Sequence, residues 1–331
     1  MFTSTSFKPI ALFSVMSLIA SQSAFAAVDE SGNLTNIQLA PGLLTEVQSA
    51  LPESTVVNQD FLNPAYNPNI QLQSDAHVSV TFLDEGAGYR NALGYFTYTA
   101  DTFKDLSFST IDSNRSGRIG INELTNLSGV TTGMIFNNAS ELGGGGSLVA
   151  GDTAVLGGGS LFDINGTDYS MDGGITFEAG TNIGFFLLQN AWDGSKVKGI
   201  DTLAETMAFY TVDFLNPENI GTATIDNAGE NSRHVAMMTT LSGENEVILG
   251  FEDLVRPGGD NDFNDAVFRV RTDPVSALFA DVPSTAKVIS LQAAPAPTLA
   301  QGTTGAITLL LGGLFMLFRK QRVTLLSVRA R

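Results

Sequence analysis

From about residue 71 onward, short alternating or continuous apolar stretches recur, each closed by Gly, Asn, Asp or Pro. They read "AHVSVTFL" (76–83), "GYFTYTA" (94–100), "NIGFFLLQNAW" (182–192), "MAFYTVDFL" (207–215), "HVAMMTTL" (234–241) and "NEVILGFEDL" (245–254). Successive side chains of a strand point to opposite faces, so runs of this kind with turn signals between them predict strands. Many short strands and few helical stretches predict a mainly β fold, an antiparallel β-sandwich of jelly-roll-like type. One short helix precedes them. In "APGLLTEVQSAL" (40–51), Leu43, Leu44, Val47 and Leu51 recur at helical spacing, and Pro41 stands near the start, where a missing N–H is harmless. The glycine tracts "ELGGGGSLVAG" and "VLGGGSLFD" predict loops or tight bends. No Lys-Ser/Thr follows them, so they make no phosphate cradle.

The two ends follow other patterns. Residues 1–26 predict an export signal: Lys8 supplies the positive start, Ile10 to Ala20 the apolar core, and Ala24-Phe25-Ala26 a small-x-small cleavage site. A membrane-anchoring helix is the alternative, and the apolar core is short for one. Near the other end, "GTTGAITLLLGGLFMLF" (302–318) is uncharged and "RKQR" follows at once. This predicts a short membrane helix with a basic tail, 319–331, on the cytoplasmic side. The Pro/Ala/Thr stretch ahead of it, within 276–301, predicts a linker. Between the ends lie an extension with the short helix (27–66) and the β-sandwich domain (67–275).

The 331 residues include no cysteine and carry a formal net charge of -17. Disulfides are therefore excluded, and the core must be large enough to do without them. Such acidity argues against nucleic acid as a partner, since neutralising phosphates takes clustered Lys and Arg. It fits a hard divalent cation outside the cell, or simply solubility.

The densest acidic stretch is "PGGDNDFNDAVF" (257–268), which joins two strand-like runs as a hairpin loop. In an extended segment Asp260, Asp262 and Asn264 would point to one side, with Asp265 closing in from the turn. Clustered oxygen donors with glycines for a sharp bend are what Ca²⁺ takes, at six to eight ligands. Without a cation, carboxylates this close repel or protonate. The alternative is an Asx-rich turn whose side chains satisfy their own backbone. One loop rarely supplies every ligand, and Asp84 and Glu85, ending the strand "AHVSVTFLDE", are the best candidates from elsewhere.

A second candidate is "DSNRSGRIGINE" (112–123), which fits the twelve-residue EF-hand loop. Asp112, Asn114, Ser116 and Glu123 hold positions one, three, five and twelve. Gly117 holds the sharp turn at six, and Ile119 the apolar eighth position. Arg118 lends its backbone carbonyl, and Gly120 acts through water. Ser116 departs from the usual Asp or Asn. With two carboxylates and two nearby arginines, affinity is expected in the extracellular range of about 10⁻⁴ to 10⁻³ M. A polar hairpin loop is the alternative.

Several motifs together resemble the LruC-type domain family, domain of unknown function 4114: "FLDEGAGYRNALGYFTY", "NIGFFLLQNAW", "FLNPEN", "RHVAMM" and "ILGFEDL…GGDNDFNDAVFRV". "LAPGLLTEVQSALPE" is similar to the segment that precedes such domains. The resemblance spans roughly residues 40 to 272, with 112–123 expected as an insertion. It implies a β-rich exported bacterial domain linked to the cell surface or matrix, in a family with no established enzymatic activity. Carried over residue by residue, its acidic motif falls on Glu85, Asp262, Asn264 and Asp265. The tail resembles the PEP-CTERM sorting signal, with "APAPT" as its motif and Ala296 where that family has Glu. This implies a sorting protease, an exosortase, as a partner.

Catalysis finds little in the sequence. Both histidines, His77 and His234, lie in strand-like alternations, and neither a Gly-x-Ser-x-Gly elbow nor a His-Glu-x-x-His motif occurs. Trp192, Tyr89 and Tyr95 could form a sugar-stacking platform, though core packing is the commoner fate of a lone Trp. The expectation is an exported, calcium-binding, non-catalytic structural or adhesion protein of a Gram-negative cell surface or biofilm matrix. A calcium-dependent carbohydrate-binding module is the first alternative, with exopolysaccharide as partner, and a glycan hydrolase the second.

Overall fold

The computed structural model describes residues 34–163, 169–200, 206–240, 246–279 and 287–289. The expected export signal, most of the linker, the apolar segment 302–318 and the basic tail lie outside these residues. Among the described residues, no helix is long and apolar enough to cross a membrane.

The strands in chain order are β1 (Thr35–Asn36), β2 (Ile70–Leu72), β3 (His77–Asp84), β4 (Ala92–Tyr98), β5 (Thr131–Phe136), β6 (Asp152–Val155), β7 (Ser160–Asp163) and β8 (Tyr169–Asp172). There follow β9 (Asn182–Leu188), β10 (Ala208–Tyr210), β11 (Val235–Thr240), β12 (Glu246–Phe251), β13 (Ala266–Asp273), β14 (Leu278–Phe279) and β15 (Lys287–Ile289). Helices are few and short: α1 (Leu43–Ala50), α2 (Phe108–Ile111) and α3 (Ile121–Thr125). Two large sheets form the body: one runs β1-β6-β3-β13-β12-β11-β15, and the other β14-β2-β9-β4-β5 with β10 added beside β9, while β7 and β8 pair in a separate two-stranded sheet. Pairing is antiparallel throughout except between β11 and β15. Neither sheet closes into a barrel.

Alternation along the strands builds the core between the sheets. On β13, Ala266, Phe268 and Val270 face the second sheet while Val267 faces away. Phe268 meets Phe185 of β9 at 5.2 Å between ring centroids and lies near Phe251 of β12 at 6.0 Å. Both sheets are also covered on their outer faces. Leu43, Val47 and Leu51 of the α1 segment pack on Ile248, Val267 and Met238 of the first sheet. The extension is thus joined to the β-rich body by a core of its own. On the second sheet, Phe108, Ile111, Ile119 and Leu124 pack on Phe96, Phe186 and Tyr210. The EF-hand-like segment is therefore a packed layer over that sheet.

Double coverage explains two departures from the sequence reading. Tyr95, a candidate for a surface platform, is buried between the sheets against Phe177, because both faces of β4 are covered. "MAFYTVDFL" forms only the three-residue β10 before a 3₁₀ turn at Asp213–Leu215. Asn216 ends the strand: its Oδ1 accepts from Tyr210 N at 2.7 Å, and its Nδ2 donates to the carbonyls of Tyr210 and Ser232 at 2.9 and 2.7 Å. A fully buried side-chain amide here replaces a neighbouring strand.

Candidate metal centre

The acidic loop springs from the β12–β13 hairpin, whose last paired residues are Phe251 and Ala266. Asp265 closes the mouth: its N–H donates to Phe251 O at 3.1 Å, and its Oδ2 accepts from Asp253 N at 2.7 Å. The extended run expected for residues 260–264 does not form. Asn261 and Phe263 have φ of 59° and 60°, the left-handed region, so the strict two-residue alternation is broken. Phe263 is fully buried in the α1 core, with the Arg256 guanidinium 5.0 Å above its ring. That anchor holds the flanking acids in place. Asp262, Asn264 and Asp265 are 1%, 5% and 8% exposed, respectively.

Two groups of carboxylates converge here, sharing Asp262. Oxygens of Glu252, Asp262 and Asp265 lie within 4.8 Å of one another and all three residues are buried; Glu53, Asp260 and Asp262 form a second such group, in which Glu53 and Asp260 are exposed. Glu53 follows α1 and is tied to the loop: Asn264 Nδ2 donates to Glu53 Oε2 at 3.0 Å, and the neighbouring Ser54 N donates to Asp262 Oδ2 at 2.7 Å. The sequence reading named Asp260, Asp262, Asn264 and Asp265 but missed Glu252 and Glu53. Glu252 could have been found, because the residue after β12 faces those just before β13 in a hairpin. Nothing local marks Glu53.

Burial makes these acids reluctant to ionise. Glu252 is pushed up to about 8 by burial, then by the charges of Asp260 and Asp262. Asp265 is pushed to about 9 by burial, then by Asp253, and Asp253 to about 6, again chiefly by burial. Burial raises Asp262 as well. Two buried oxygens, Glu252 Oε2 and Asn264 Oδ1, have no hydrogen-bond partner. Among the described residues none of these carboxylates is ion-paired with Lys or Arg. The nearby Arg256 spends Nε on Asn261 Oδ1 at 2.9 Å and Nη1 on Arg233 O at 2.7 Å. Oxygen-only donors at these positions are the set a hard divalent cation takes.

Asp84 and Glu85 stand beside this centre without entering either group. Asp84 accepts from Gln48 Nε2 at 3.2 Å, and burial raises it. Glu85 is raised to about 7 by burial, with Glu141 and Asp253 adding repulsion. Its Oε2 accepts from Glu141 N at 3.2 Å while its buried Oε1 has no partner. Asn91 links the two regions by donating Nδ2 to Asp253 Oδ2 at 2.6 Å.

The EF-hand-like loop lies elsewhere, between α2 and α3. Gly117 has φ of 77°, the turn its sixth position requires. Asp112 and Glu123 are buried and converge on loop donors. Asp112 accepts from Ser116 N and Gly117 N, both at 2.9 Å. Glu123 accepts from Ser113 Oγ at 2.8 Å, Asn114 N at 3.2 Å and Gly120 N at 3.0 Å. Asn114 Oδ1 also takes Ser116 N, and Ser116 Oγ donates to Arg118 O at 3.0 Å. The loop is thus closed on itself by its own donors, and Tyr210 Oη bonds Ile119 O at 2.6 Å to hold it on the sheet.

Each histidine sets its Nδ1 against a backbone carbonyl. His77 Nδ1 faces Ile175 O at 3.2 Å. His234 is fully buried, its ring 4.2 Å from that of Phe209, with Nδ1 at 2.9 Å from Glu252 O and Nε2 at 3.0 Å from Glu218 Oε1. A carbonyl oxygen only accepts, so Nδ1 carries the proton in that bond.

The acidic hairpin lies within a recognisable stretch of chain. Residues 177–273 match the DUF4114 family, a domain of unknown function. This is the family that the sequence motifs resemble, over a shorter span. The DUF4114 region contains Glu252, Asp253, Asp260, Asp262, Asn264 and Asp265, whereas Glu53, Asp84, Glu85 and the EF-hand-like loop lie before it. No curated protein and no solved structure matches the chain.

Proposed function

We propose that this is an exported protein whose β-rich, sandwich-like body binds calcium through Glu252, Asp262 and Asp265. It serves as a non-catalytic structural or adhesive element at the surface, or in the extracellular matrix, of a Gram-negative bacterium. The observation that carries the reading is the buried trio itself, with Glu252 Oε2 lacking any hydrogen-bond partner. Buried carboxylates are ordinarily paired, and an oxygen-only set selects calcium over softer metals. The EF-hand-like loop takes a weaker calcium, since Asp112 and Glu123 must first release backbone donors. Export rests on residues 1–26, and tethering on 302–318 with its basic flank, before any cleavage by an exosortase near "APAPT". Calorimetric titration of the purified protein with calcium tests the metal reading. A binding event that Glu252→Gln removes and Glu123→Gln leaves in place is expected, and no event in the parent protein refutes the assignment.

A second reading, a calcium-dependent carbohydrate-binding module, draws on a polar cleft of about 820 Å³ lined by Tyr66, Asn67, Asn69, Asp213, Asp226 and Arg233. Planar hydrogen-bonding side chains around a tyrosine suit sugar hydroxyls. Arg256 also lines this cleft and bonds Asn261 of the acidic loop, which connects cleft and metal. Saturable, chelator-sensitive binding to purified exopolysaccharide that weakens in Asp213→Ala is the result expected of a module. Absence of such binding leaves the structural role.

A further inference from the structure

We propose that the polar cleft selects a glycan bearing protonated amines, a polymer of amino sugars that are not N-acetylated. This rests on reading the cleft as a carbohydrate site and adds the chemistry of the sugar. The floor of the cleft is built from buried polar groups that hold one another in place. Thr211 is 1% exposed; its Oγ1 donates to Asn69 Oδ1 at 2.7 Å and accepts from Phe185 N at 2.8 Å. Arg233, 7% exposed, donates Nη1 to Asn63 O at 2.8 Å, and its Nη2 pairs with Asp213 Oδ2 at 3.2 Å.

Charge sets the kind of sugar. Four carboxylates and two arginines are the charged groups among the described residues that line the cleft. Both arginines are engaged within the protein. Arg233 pairs with Asp213, and Arg256 donates to Asn261 Oδ1 at 2.9 Å and to Arg233 O at 2.7 Å. The other three acids, Asp60, Asp226 and Glu230, are exposed, and among the described residues none of them is ion-paired. The open part of the cleft is therefore negative, in a chain whose formal net charge is -17. That field repels an acidic polysaccharide, and an N-acetylated sugar brings no charge to complement it. A protonated amine on each sugar unit does.

The walls favour a glycan over a basic peptide. Apart from Tyr98 of β4, the lining residues belong to no strand; they come from 59–69, 211–214, 225–233 and Arg256. An extended peptide gains most from a strand edge with which its backbone can pair. These walls present side-chain amides instead, from Gln59, Asn67 and Asn231, beside the half-buried Tyr66. Amides donate and accept as sugar hydroxyls require, and a tyrosine suits the apolar face of a sugar ring. The volume, about 820 Å³, lies in the range of sites that enclose an organic ligand.

Calorimetric titration of the full-length protein in saturating calcium tests this, at a mildly acidic pH that keeps the amines protonated. The probes are a glucosamine tetramer, its N-acetylated counterpart and hexalysine. The glucosamine tetramer should bind about tenfold more tightly than the acetylated one, and about tenfold more weakly when Asp226→Asn and Glu230→Gln are combined. Equal affinity for the two tetramers overturns the amine selection and leaves the carbohydrate reading in place. If neither tetramer binds, both fall. Hexalysine bound as tightly as the glucosamine tetramer overturns the glycan in favour of a basic peptide. Should the double variant not fold, the parent decides: its affinity for the glucosamine tetramer should fall as salt is raised, and an affinity indifferent to salt overturns the proposal.

Discussion

Calcium is expected to raise the melting temperature of this protein, and Asp265→Asn or Glu252→Gln to cancel most of the rise. A ligand that binds only the native state stabilises it by about 2.7 kcal/mol at one hundred times its Kd. For a domain of 150 to 250 residues each kcal/mol shifts the midpoint by roughly 2–4 °C, so the rise is roughly 5–10 °C. The variants respond differently in chelator. There the native protein holds Glu252, Asp262 and Asp265 close together and buried, and replacing one by its amide relieves repulsion and desolvation. In chelator the variants therefore melt at or above the parent, although they lose the response to calcium. Calorimetric scans of parent and variants in calcium and in chelator check this. Superimposable parent curves in the two buffers would refute the calcium site.

The second large effect is a pH dependence whose size depends on the metal. Burial raises Glu252 to about 8 and Asp265 to about 9, above the ordinary values of 4.5 and 3.8. A group raised on folding contributes stability that is fully present below its unfolded pKa and is lost as pH rises through its folded pKa. In chelator, these two groups therefore make the protein progressively less stable from about pH 4 to about pH 9. Calcium requires the ionised carboxylates, so its stabilising effect grows over the same range. The curves with and without calcium should diverge as pH increases. Denaturant melts at pH 5, 7 and 9 in both buffers measure the gap, and a constant gap contradicts the assignment of Glu252 and Asp265 as ligands.

These expectations depend on features of different legibility. The hairpin loop could be read because its acids are contiguous and its flanking runs alternate, so "EVILGFEDL" and "AVFRV" meet as β12 and β13 in register. The left-handed turns at Asn261 and Phe263 could not, since they follow from Phe263 being drawn into the α1 core. In the EF-hand-like loop the turn at Gly117 was legible, because that position of the motif calls for a left-handed glycine. The loop's packing on the second sheet was not, although Phe108, Ile111, Ile119 and Leu124 do the covering.

By itself, then, the sequence determined what local chemistry determines. The period of apolar residues made short antiparallel strands, helical spacing at Leu43, Val47 and Leu51 made α1, and clustered Asx residues marked the acidic turn. Only the tertiary structure decided which carboxylates meet and which lose their water. Asp84 and Glu85 end a strand and invite a role as ligands, yet they stand outside both groups. Glu53, 211 residues from its partner Asn264, enters because α1 packs across the first sheet and delivers the segment behind it to the loop. Whether an acid is a solvated surface charge or a buried oxygen in need of a cation depends on what the fold places over it, and those residues lie far away along the chain.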